Sequence, residues 1–139
     1  MTVENYLAEA GAFATLAGLL AGFGLTAVIQ FLVTENKSKL VTASIIVFSI
    51  STVLVTYSLL VFVLSFAATA EMNEVRAELD NLMIGGFLML VAAIFVFLGG
   101  IGLSGWIRSR TAGITTSLFA IITMCLTASA LWSVLSLFM

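Results

Sequence analysis

Four long apolar stretches cover most of this chain, and none carries a charge in its middle. That feature leaves very few folds open. About 20 helical residues cross the hydrocarbon of a bilayer, so each stretch is long enough to span one. A lipid-facing backbone must satisfy its own polar groups, which leaves helices or a closed barrel. Barrel strands alternate in polarity, and these stretches do not. The composition agrees: 62% of the 139 residues are hydrophobic and 9% charged, against roughly 25% charged in a soluble domain.

The expected fold is an all-α membrane protein with four transmembrane helices in a single domain, residues 1–139. The spans are expected at about 10–33, 40–70, 82–107 and 114–138. The segment MTVENYLAE before the first span is acidic where a signal peptide is basic, so that span reads as a retained helix. The second connector, Glu71 to Asn81, holds no Gly or Pro, and Met72, Val75 and Leu79 recur at helical spacing. Helix two is therefore expected to run on into it, with Arg76 and Asp80 paired four residues apart. The halves share no motif, which speaks against an inverted-repeat transporter. Lys37, Lys39, Arg108 and Arg110 fall in connectors one and three, on one side of the membrane. Positive-inside logic puts that side in the cytoplasm and both termini outside.

Much chemistry lacks its parts. There is no histidine, and no carboxylate or amine sits inside a span. General acid–base catalysis, a base-activated nucleophile and a His/Cys metal site are therefore not expected, nor is a cofactor. A proton-coupled carrier needs a buried titrating carboxylate, also absent from the spans. Nothing is basic enough to hold nucleic acid. Cys125 reads as a small packing residue. Ser49, Ser51, Thr52, Thr56 and Ser58 have no activating partner and are expected to bond backbone or a neighbouring helix. Trp106, Trp132 and Tyr6 suit interfacial anchors. Glu71, Glu74, Glu78 and Asp80 read as a solvated helix face that could also attract cations or a partner.

The first span carries the most specific pattern. Small residues recur every fourth position at Ala10, Ala14, Gly18, Gly22 and Thr26, with Gly18 and Gly22 forming a GxxxG. Ala14, Gly18 and Gly22 are thus the candidate helix-packing residues, either inside one bundle or between subunits. A neighbouring face carries Thr15, Leu19, Phe23, Thr26 and Gln30. In a bundle core this stripe packs, and Gln30 bonds a neighbouring helix. Around a symmetric axis it lines a pore, with an apolar constriction beside a ring of amides.

At these residues the chain resembles the Orai family, the four-helix subunits of store-operated calcium channels. The first span reads GLLAGFGLTAVIQ, Gly18 to Gln30, similar to the family's pore helix, which has a glutamate where Gln30 stands. FSISTVLV, Phe48 to Val55, is similar to a segment of the family's second helix that is one residue longer. FLGGIGLSGWIRS, Phe97 to Ser109, is similar to part of its third. The resemblance implies a homo-oligomer, a hexamer with the first helix central. It also implies pore-lining roles for Thr15, Leu19, Gly22, Phe23, Thr26 and Gln30, with calcium or monovalent cations as the permeant species and the cell membrane as the location. The neutral Gln30 would hold calcium less strongly than a carboxylate. Family members have cytoplasmic termini, opposite to the side that the charge distribution favours. The alternative is a non-enzymatic membrane scaffold or accessory subunit that packs through Gly18 and Gly22.

Overall fold

A computed structural model describes residues 2–136. It holds four helices, α1 (Val3–Leu32), α2 (Lys39–Met72), α3 (Ala77–Arg108) and α4 (Arg110–Leu135), and no strand among the described residues. All four are long and apolar enough to cross a membrane. The chain is a multi-pass membrane protein.

The helix ends depart from the apolar runs, because capping rather than hydropathy sets them. α1 starts at Val3, well before Ala10. The Thr2 side chain accepts the Asn5 N–H (3.3 Å), and Glu4 lies in the first turn, where the helix dipole favours an anion. Ser38 caps α2 through the Val41 N–H at 3.3 Å. α2 runs only two residues past Ala70, to Met72, and stops at Asn73 in the left-handed conformation (φ 52°), which asparagine tolerates better than most residues. The helical remainder of the second connector belongs to α3, which starts at Ala77 rather than Leu82. Arg76 is an extended cap residue, so the expected pairing with Asp80 gives way to an exposed ion pair with Glu74 (2.6 Å). That carboxylate holds the Arg76 guanidinium above its ordinary pKa. α4 begins at Arg110, four residues before Ile114, with the Ser109 hydroxyl accepting the Ala112 N–H at 3.1 Å. The expected end near 138 falls outside the described residues.

The helices form an open row, not a closed bundle. α1 packs on α2, α2 on α3 and α3 on α4; α1 touches α3 over a short stretch, and α1 and α4 do not meet. α2 is the central element. Val41, Phe48, Val55, Phe62 and Thr69 recur every seven residues on its buried face, with Ser44, Ser51, Ser58 and Ser65 between them. This alternation of three and four is a heptad seam, and its small serines let two backbones approach α2 at once. Ala10, Ala17 and Gly24 line α1 at the same interval. Two aromatic levels tie the three helices together. Phe13 meets Phe62 and Phe87 in tilted pairs, each at 5.3 Å, and Phe48 stacks with Phe31 at 5.8 Å and meets Phe97 edge-on at 5.4 Å.

Glycines mark where helices come closest. A Cβ on Gly24 would collide with Thr52, one on Gly86 would sit 2.8 Å from Val61, and one on Gly105 2.7 Å from the Ala112 carbonyl. Tyr6 is fully buried between helices, so it does not anchor the chain at the lipid boundary. Cys125 is exposed and fills no core position. Trp106 and Trp132 are exposed.

Candidate functional site

The α2-facing side of α1 is its Ala10–Ala17–Gly24 seam. At ~100° per residue, Thr15, Leu19, Gly22 and Thr26 fall on the opposite side of the helix, with Phe23 and Gln30 on its flank. All six are exposed in the subunit; Leu19 is 59% and Phe23 62% accessible. The candidate pore stripe is therefore one continuous open face about 22 Å long, at 1.5 Å per residue from Thr15 to Gln30. It is not a core stripe packed within the subunit. The open side is wider than the stripe, since Leu16, Leu25 and Ile29 are exposed too.

The polar groups on this face differ in how they are satisfied. The Thr15 hydroxyl donates to the Gly11 carbonyl (2.9 Å) and the Thr26 hydroxyl to the Gly22 carbonyl (2.8 Å). Both can face lipid or a narrow lumen, because each keeps its proton bonded to its own helix. Gln30 lies in the last turn of α1. Its backbone carbonyl accepts the Thr34 hydroxyl at 2.9 Å, and its exposed carboxamide has two donors and an acceptor to place. Water, a headgroup or an ion near a membrane surface can meet them.

The three helix-packing candidates separate. Ala14 packs against the core and a Cβ on Gly18 would lie 4.0 Å from Leu59, but nothing lies within 4 Å of a Cβ on Gly22. Gly24, which the four-residue row omits, is the α1 glycine in tightest contact. Its signal was present as Ala10, Ala17 and Gly24 at intervals of seven.

Of the α2 hydroxyls, Ser51 donates across helices to the Ala93 carbonyl (2.9 Å). Thr52 and Ser58 bond the Phe48 and Leu54 carbonyls of their own helix (2.7 and 3.0 Å). Thr56 is exposed, and Ser49 is half-buried. Among the described residues no group of three His, Cys, Asp or Glu could hold a metal ion. Glu71, Glu74, Glu78 and Asp80 are all exposed.

Charge is divided between the two ends of the row. Glu35, Lys37, Lys39, Arg108 and Arg110 share the end where Gln30 lies. Glu4, Glu9, Glu71, Glu74, Glu78 and Asp80 share the other, with Arg76. No protein-family model matches the chain, nor does a curated protein or a solved structure.

Proposed function

We propose that this chain is the subunit of a homo-oligomeric ion channel of the cell membrane, passing cations, with α1 around the axis and Gln30 in a polar ring near one mouth. The open row carries the reading. α1 occupies one end with the stripe bare, and α4 occupies the other without touching α1. Copies arranged with α1 innermost would bring the stripes together while α4 met lipid. Leu19 and Phe23 would form an apolar constriction of the kind that gates by dewetting. A calcium or monovalent pore of six copies, as the Orai resemblance implies, is the specific form of this proposal.

Planar-bilayer recording of the purified protein tests it. Conductance with a reversal potential that follows the cation gradient is expected. The acidic end would concentrate cations at one mouth, whereas Lys37 and Lys39 flank the Gln30 mouth, so the sign of that potential is informative. Silence in potassium, sodium and calcium salts overturns the reading. Gln30→Glu should lower the calcium concentration needed for block by roughly tenfold or more, since carboxylates bind the ion more strongly than an amide.

One observation favours a second reading. The open position at Gly22 leaves room for the backbone of another helix. A scaffold or accessory subunit packing through Gly18 and Gly22 would lose its partner on Gly22→Leu and carry no ion flux.

A further inference from the structure

α3 and α4 do not close on each other along their whole length. Gly99, Gly102 and Trp106 on one side, and Ser117, Ala120 and Met124 on the other, line a shallow groove of about 270 Å³. Its polar atoms are already committed. The Trp106 Nε1–H donates to the Ser117 hydroxyl (3.0 Å), and that hydroxyl lies 3.3 Å from the Gly102 carbonyl. Water needs two to four free polar partners to be held, so hydrocarbon fits this groove better.

Depth and charge specify the occupant further. Trp106 lies two residues from Arg108 and Gly99 nine, so the groove runs from about 3 to about 14 Å below the end of α3, at 1.5 Å per residue. That range is the depth of one leaflet's acyl chains, about 15 Å of hydrocarbon. Beyond this end stand Arg108 and Arg110, both exposed, on either side of the single extended residue Ser109. At ~100° per residue Arg110 falls on the Ser117–Met124 side of α4, whereas Arg108 falls on the side of α3 away from Gly99 and Trp106. The one salt bridge among the described residues is that of Arg76 with Glu74, so neither arginine is engaged by a carboxylate. A guanidinium group matches phosphate oxygens in a fork.

We propose that the α3–α4 groove binds an anionic phospholipid, one acyl chain lying along the glycines and the headgroup phosphate resting on Arg110. The site is independent of whether α1 lines a pore.

Quenching of Trp106 by brominated lipids tests it in the full chain. Trp132, 69% exposed and away from the groove, is first replaced (Trp132→Phe) so that Trp106 alone reports. Dibrominated phosphatidylglycerol should compete into the site roughly fivefold better than dibrominated phosphatidylcholine, given one arginine near the surface. Arg110→Gln should abolish that preference while leaving quenching by phosphatidylcholine, and Arg108→Gln should leave the preference in place. Gly99→Leu places its side chain in the groove, where a Cβ meets only the end of Met124 at 4.0 Å; it should reduce quenching by both lipids. Equal competition by the two lipids in the parent, or a preference that survives Arg110→Gln, overturns the headgroup assignment. Unchanged quenching in a folded Gly99→Leu protein overturns the acyl site. Displacement of the lipid by millimolar glycerol phosphate would mark a free-phosphate site and overturn the lipid proposal.

Discussion

Gly105 and Gly22 show how differently two glycines of one chain can be constrained. A methyl on Gly105 would run into Thr116 and the Ala112 backbone, which belongs to a helix and moves only as a unit. Gly105→Ala should therefore destabilise the protein by about 1–3 kcal/mol, the range of overpacked sites. Gly22→Ala meets open space and should stay within about 0.5 kcal/mol. Thermal unfolding in one detergent compares them; equal losses would mean that α3 and α4 are not in the contact described. The four-residue row does not follow the α2 contact, for a geometric reason. Four residues turn a helix through ~400°, so each step carries the row ~40° around the cylinder. It starts on the α2 face at Ala10, which is buried, and has left it by Gly22.

At the scale of the element, α2 is the helix whose logic was least legible. Its charge-free length was plain, as was the hydrogen bonding expected of Ser51 and Ser58. What the individual residues did not reveal was their common interval, Ser44, Ser51, Ser58 and Ser65, which sets one hydroxyl per two turns along the buried seam. Small volume matters more there than polarity, so Ser58→Ala should cost less than ~1 kcal/mol, whereas Ser58→Leu should cost ~1–3 kcal/mol by forcing helices apart. Chemical denaturation in mixed micelles reads the difference, and a harmless Ser58→Leu would refute the seam. The helix ends were harder to read than their middles. Hydropathy reports where lipid is tolerated, while Thr2, Ser38, Asn73 and Ser109 decide where winding starts and stops.

For the whole molecule, the division of charge makes the membrane orientation testable. The end bearing Lys37, Lys39, Arg108 and Arg110 should face the cytoplasm. Replacing all four with glutamine should scramble or invert the orientation, read by the accessibility of a cysteine placed at Asn36 in a Cys125→Ser background. An unchanged orientation would show that these cations do not determine it, and a parent with this end outside would agree instead with the Orai-like placement. The row makes a second prediction about assembly. With Trp106→Phe, the remaining Trp132 should be quenched by brominated phosphatidylcholine in the assembled protein, because α4 lies outermost in the proposed ring. Protection of Trp132 would put α4 between subunits and α1 elsewhere. Four spans were legible from their charge-free lengths; their arrangement in a line was not, since all four are apolar around most of their circumference and no single face declares a neighbour.

Ser109 is the only residue that separates α3 from α4. A joint that short has little slack for one rod to travel lengthwise past the other, and the contact of Gly105 with Thr116 keys them near the pivot. Any force applied to the outer rod must then arrive at its neighbour as torque, a change of tilt with the register preserved.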